Sequence, residues 1–229
     1  MRIVFFGDSH AHALIRALNK SGDQSGLTAV DIRRIEDGKT NNKTILTNLA
    51  QSYPADHLFC CLGGTEYNLL GLIEADEPFD FLVTPDDTIL PDRKPVPNGV
   101  IRSALAARMR SALGRMSEVR AQYSCPFTCV APPPPFAHID DTASLPRAFL
   151  PHLTKGIAPA SVRRKLYMVQ IGLLEAHCRA EGIGFLPAPV AVQDVDGFLL
   201  RNCWRNDPTH GNARYGAAVI GQMRDFQLA

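Results

Sequence analysis

The sequence has almost no charge imbalance: 24 Lys and Arg stand against 23 Asp and Glu in 229 residues, a formal net charge of +1. That excludes the dense basic surface on which non-specific nucleic-acid binding depends, so no nucleic-acid partner is expected. Long apolar runs are also missing. Nothing approaches the roughly 20 residues that cross a bilayer, and no membrane partner is expected. The six cysteines contain no CxxC pair. Cys125 and Cys129 form a lone CxxxC spacing, too little for zinc without a second pair. Reduced, mostly buried thiols are the expectation for Cys60, Cys61, Cys125, Cys129, Cys178 and Cys203. The opening residues Met1 to Phe6 hold one Arg and too short an apolar run for a secretory leader, which with the thiols points to a cytoplasmic protein. Repeats, low-complexity linkers and shifts of composition are absent, so residues 1–229 are read as a single domain.

What the sequence does contain is an alternation of short apolar runs with helical periodicity. Arg2 to Gly7 is compact and apolar, as a strand buried on both faces requires. Ala11, Ala13, Leu14, Ala17 and Leu18 then recur at helical spacing. Leu27 to Ile35 reads as a second strand with Asp37-Gly38 as its turn, and Asn41 to Gln51 as a helix. His57 to Leu62 is a third buried strand, stopped by Gly63-Gly64, and Phe79 to Val83 a further short one. Thr84 to Asn98 is a polar, proline-rich loop and a candidate flap.

Val100 to Gln122 is a helix burying Ile101, Leu105, Met109, Ala112, Leu113, Met116 and Val119. Its arginines Arg108, Arg110, Arg115 and Arg120 read as the wet side. Phe127 to Ala131 is a strand ended by Pro132 to Pro135, since proline cannot continue a ladder. Phe136 to Pro159 is irregular. Ser161 to Glu181 is a helix with Ser161 as its cap, Gly184 to Pro187 a last strand and Asn212 to Phe226 a closing helix. Strands alternating with helices mean a parallel sheet covered on both faces: a three-layer α/β domain.

Ligands in such sheets gather beyond the carboxyl ends of the strands. Those ends carry Asp8-Ser9-His10, then Asp37 to Thr40, then Gly63 to Asn68, and Pro132 to Pro135. Asp207-Pro208-Thr209-His210 follows the last strand. A serine on this rim, a histidine, and a carboxylate three residues before that histidine are the parts of a hydrolytic triad. Ser9 also sits where a helix begins, so its N–H can face a developing oxyanion, although a plain N-cap is the competing use of such a serine. Asp8 can serve as a turn acceptor that holds the serine loop. His10 and His12 neighbour the serine and are expected to line the pocket or pack, pointing away from Ser9. His57, His138, His152 and His177 read as surface or satisfied core histidines.

Phe6-Gly7-Asp8-Ser9-His10 resembles the first block of the SGNH (GDSL-like) hydrolases, and Asp207-Pro208-Thr209-His210 resembles their final DxxH block. The resemblance implies a flavodoxin-like sheet of strand order 2-1-3-4-5. It implies Ser9 as nucleophile, His210 as general base and acid, and Asp207 as the residue that orients it. It also implies an oxyanion hole built from the Ser9 N–H, a second-block glycine, for which Gly38 is nearest, and a third-block asparagine. That block is usually GxND, and Gly63-Gly64-Thr65-Glu66 lacks the asparagine, leaving Asn68 as the nearest amide. His10, Gly64 and Thr65 would then border the substrate.

The activity implied is hydrolysis of an acyl ester of a small molecule or carbohydrate, with no metal or organic cofactor. The segments Thr84 to Asn98 and Pro132 to Pro159 hold no long greasy run, which favours a short acyl group such as acetyl. The same triad also serves acyl transfer to a sugar. Gly7-Asp8-Ser9-His10 has in addition the GDxH form of dinuclear metallophosphoesterases, but their GNH[DE]-type segment is missing. A binding protein that keeps the fold with a decayed site is the non-enzymatic alternative.

Overall fold

The computed structural model describes residues 1–22, 26–35, 48–139, 145, 149, 151 and 154–228. Strand β1 (Ile3–Gly7) lies inside the sheet, one strand from its edge, with all five residues buried. Helix α1 (Ala11–Ser21) follows, then β2 (Leu27–Asp31), the short α2 (Leu49–Ser52), β3 (His57–Cys61) and α3 (Glu66–Gly71). Next come β4 (Phe79–Asp80), β5 (Lys94–Pro95), α4 (Asn98–Arg120), β6 (Phe127–Val130), α5 (Ala160–Ala180), β7 (Gly184–Leu186) and α6 (Ala213–Leu228). The central sheet runs β2-β1-β3-β6-β7 and every pairing in it is parallel. Counted along that sheet alone, the order is the expected 2-1-3-4-5.

Successive side chains of a strand point to opposite faces, and β1 divides its residues accordingly. Ile3 and Phe5 join a core built with Ala13, Leu14 and Ala17 of α1 and Val219, Ile220 and Met223 of α6. Val4 and Phe6 join the opposite core, with Met109, Met116 and Val119 of α4 and Leu174 and Cys178 of α5. Strand β3 divides likewise, sending Phe59 and Cys61 to the first core and Leu58 and Cys60 to the second. Each fully buried phenylalanine contributes roughly 1.5–3 kcal/mol, so the continuous apolar runs are what makes this a three-layer fold. The helices α1 and α6 touch backbone to backbone: a Cβ at Gly216 would run into the Ala13 carbonyl.

Several expectations need correction. Phe79 to Val83 is a strand only at Phe79–Asp80, and it pairs with Lys94–Pro95 in a separate two-stranded sheet. Asp80 explains this. Its fully buried carboxylate accepts N–H groups of Phe81 and Leu90 and the ammonium of Lys165, so the segment is tied to α5 instead of the central sheet.

The polar segment after it is tethered along its length. Asp87 accepts the Val83 and Thr84 N–H groups, Arg93 grips Glu74, and Asn98 donates to the Leu82 carbonyl. Ser161 does not cap α5. Pro159 holds that position and its carbonyl accepts the Arg163 N–H, while Ser161 lies exposed in the first turn. The second strand is shorter than expected, because Asp31 turns the chain into a 3-10 turn at Ile32–Arg34. The expected helix over Asn41 to Gln51 lies largely outside the described residues, as do Asp37, Gly38, Lys39, Thr40 and His152.

Candidate active site

Strand β1 delivers the Asp8-Ser9-His10 turn directly to the rim. Asp8 is held from two sides. Arg115 of α4 grips its carboxylate with two nitrogens, at 3.1 and 2.7 Å, and the Gly63 N–H donates to it at 3.1 Å. Arg115 is thus no wet arginine: its guanidinium locks the serine turn to α4, and only Arg108 and Arg110 of the four stand exposed. A bidentate arginine–carboxylate pair fixes direction as well as distance, so the serine turn is held in one orientation.

Ser9 is not spent as a helix cap. The cap position of α1 belongs to His10, and the Ser9 hydroxyl has no hydrogen-bond partner among the described residues. The carbonyls of Asp8, Ser9 and His10 accept the N–H groups of Ala11, His12 and Ala13, leaving the Ser9 N–H free among the described residues.

His210 arrives from the other end of the chain in a closed loop. Trp204 and Gly211 form an antiparallel bridge, the Arg205 N–H donates to the His210 carbonyl at 3.1 Å, and the Asn212 side chain donates to the carbonyls of Asn202 and Trp204. Within it His210 Nδ1 donates to Asp207 at 2.5 Å. The Thr209 hydroxyl and N–H donate to the same carboxylate oxygen, at 2.8 and 3.2 Å. With its Nδ1 proton committed to Asp207, the ring leaves Nε2 as its basic nitrogen. That atom is buried and has no partner among the described residues.

Burial alone would raise the Asp207 pKa, but the hydrogen bond and charge of His210 and the two bonds from Thr209 outweigh it and hold the carboxyl down to about 2. A folded-state pKa depressed below the ordinary aspartate value of 3.8 stabilises the fold above that pH, and the contribution is lost as pH falls through about 2. Stability measured by urea titration between about pH 4 and pH 2 is therefore expected to fall less steeply in Asp207→Asn than in the wild type. Parallel curves for the two proteins would contradict this.

The two ends of the chain meet through His10. Its ring is buried and packs against that of His210, with centroids 5.1 Å apart and planes at 47°. His12 does turn away, binding Asp31 at 2.9 Å beside Arg33. Gly64, at the β3 end, has φ +95°, and a Cβ there would press on Pro132 and come within 3.2 Å of His10 Nε2, so only glycine fits. The Gly64 N–H is taken by Glu66 at 2.9 Å, and Glu66 also accepts from Gln170 at 3.1 Å. Burial raises the Glu66 pKa.

Thr65 is partly exposed beside this loop, and Asn68 lies one turn into α3, buried, with its Nδ2 unpartnered among the described residues. Gly38 lies outside the described residues. Arg115, Thr209, Asn212 and Gln170 support the site, and sequence reasoning did not find them. Thr209 lies inside the Asp207 to His210 block and Asn212 just ahead of the last helix, whereas Arg115 and Gln170 carry no local signal. Among the described residues no group of three His, Cys, Asp or Glu side chains is placed to hold a metal ion.

No family model matches the chain, and no curated protein matches it in sequence. Solved structures do match. A candidate platelet activating factor from Streptococcus pneumonia is 12% identical with a TM-score of 0.56, over 98% of this chain and 83% of that one. A candidate acylhydrolase from Bacteroides fragilis is 8% identical with a TM-score of 0.53, over 98% and 85%. A carbohydrate acetylesterase family member from Sinorhizobium meliloti is 13% identical with a TM-score of 0.51, over 99% and 97%. What the chain shares with these structures is the fold, a flavodoxin-like, all-parallel sheet between helical layers.

Proposed function

We propose that this protein is a serine esterase that hydrolyses a short acyl ester, acetyl foremost, of a small molecule or carbohydrate. One observation carries the reading. His210, its Nδ1 bound to Asp207 and its Nε2 uncommitted, is packed through His10 against the turn that holds an uncapped serine. In the reaction Ser9 Oγ attacks the ester carbonyl carbon while His210 Nε2 takes its proton. The carbonyl π pair moves to oxygen, which the Ser9 N–H stabilises from the start of α1.

The Gly38 N–H and the Asn68 amide are the further donors of this reading, and the unpartnered, buried Asn68 Nδ2 supports its share. Collapse of the intermediate expels the alcohol, protonated by His210, and leaves an acyl group on Ser9. Water activated by His210 then releases the acid. Gly64 and Thr65 border the substrate, while His10 packs on His210.

The chemistry uses protein groups alone. A short acyl group is supported by the lack of a greasy run in the bordering segments and by the acetylesterase name of one structural neighbour. No helix of the described residues is long and apolar enough to cross a membrane, and all six cysteines are unpaired, which supports a reducing compartment such as the cytoplasm.

A fluorophosphonate probe tests the nucleophile directly. One equivalent should attach to the native protein, and peptide mapping should place it on Ser9. A chain that resists labelling, or is labelled elsewhere, would refute the mechanism and favour a binding protein.

A further inference from the structure

A neutral imidazole must carry a proton on one ring nitrogen, and a buried N–H without an acceptor costs about 1–3 kcal/mol. His10 is 5% exposed, yet neither ring nitrogen has a partner among the described residues. A leucine would fill the same place between β3, Pro132 and His210 without that cost. A polar group kept in the interior against local preference marks a functional position more often than a packing one. The group it packs against is His210, at 5.1 Å between ring centres.

We propose that His10 is a positioning residue for His210: an imidazole with both nitrogens uncommitted, packed on the His210 ring, that turns its lone pair toward His210 and stabilises its protonated form. The proposal rests on His210 acting as the general base described above. Because no group among the described residues fixes the His10 tautomer, the ring can place its proton on the nitrogen farther from His210 whenever His210 gains charge.

His10 does not compete for that proton. Burial first, then the charge of His210, lowers its pKa to about 3, outweighing the opposite pull of Asp207. The other charged groups at the pair are accounted for. Asp207 lies on the His210 loop, with Arg205 at 3.5 Å from its far oxygen, and Arg33 follows β2, clamped to Asp31. None of these belongs to the turn that carries His10. The effect of changing His10 on His210 is therefore separable from theirs.

The test reads His210 itself. The His210 imidazole signals are identified by their loss in His210→Gln and titrated by NMR in the wild type and in His10→Phe, which keeps a ring of similar size without nitrogen. In His10→Phe the His210 midpoint is expected to fall by about one pH unit, because the phenylalanine ring keeps the packing but has no nitrogen lone pair to face the protonated imidazole. The acid limb of kcat/KM for p-nitrophenyl acetate should move down with it, kcat should fall about three- to tenfold and KM should hold, because a weaker base is a poorer catalyst.

An unchanged or raised midpoint would overturn the proposal. So would a rise in KM with kcat intact, which is the mark of a substrate contact. His10→Leu serves where the phenylalanine variant fails to fold. The NMR midpoint needs no turnover. An inactive wild type with a shifted midpoint would therefore count against the esterase reading and for the coupling.

Discussion

Ser9→Ala is expected to lower kcat/KM for p-nitrophenyl acetate by about ten-thousand-fold or more while leaving the fold intact. The size follows from the role proposed for the residue. Without Oγ there is no acyl-enzyme, and the remaining oxyanion donors and binding contacts support only the residual rate that such sites retain. The fold should be indifferent to the change, because the hydroxyl neither caps α1 nor bonds any described residue. Circular dichroism and the thermal midpoint should match the wild type. Hydrolysis within tenfold of the wild type would remove Ser9 from the mechanism.

Lys165→Met should produce the largest loss of stability. Asp80 has no exposed surface, and its carboxylate is held by Lys165 at 2.9 and 3.1 Å and by two backbone N–H groups. Removing one partner of a buried pair leaves an uncompensated charge in the core, at a cost of about 3–5 kcal/mol. For a chain of this length that is a fall in Tm of roughly 10 °C. Lys165 also holds the Thr88 carbonyl at 2.8 Å, so the segment around it loses its anchor too. Asp80→Asn on the same background should recover part of the loss by removing the orphaned charge. A fall below about 1 kcal/mol in the single variant would show that water reaches the site and that the pair is not buried in practice.

The architecture was readable where local pattern and burial agree. The runs at Arg2 to Gly7, His57 to Leu62 and Phe127 to Ala131 are apolar because both faces of the sheet are covered, and they lie close to the observed strands. What escaped was whatever depends on partners distant in sequence. Arg115 looked like solvated charge because its partner, Asp8, lies 107 residues away. Phe79 to Val83 looked like a core strand because its pattern gives no sign that Asp80 is pinned by Lys165, 85 residues on.

Ser161 has the chemistry of a cap, but Pro159 ahead of it sets where α5 begins. In the candidate site, Ser9, Asp207 and His210 were found from short motifs. That His10 packs on the His210 ring was not legible, because the two lie two hundred residues apart in sequence.

The absence of a side chain at Gly216 also bears on when activity can arise. Ser9 and His210 are about two hundred residues apart in sequence, and the α1–α6 contact that joins their turns tolerates no added Cβ. Closing so long a loop is entropically slow and is rewarded only once the whole contact forms. In the mechanism proposed above, the serine turn is synthesised some two hundred residues before its base. No ester should then be cleaved until α6 docks, and onset of hydrolysis would report completion of folding.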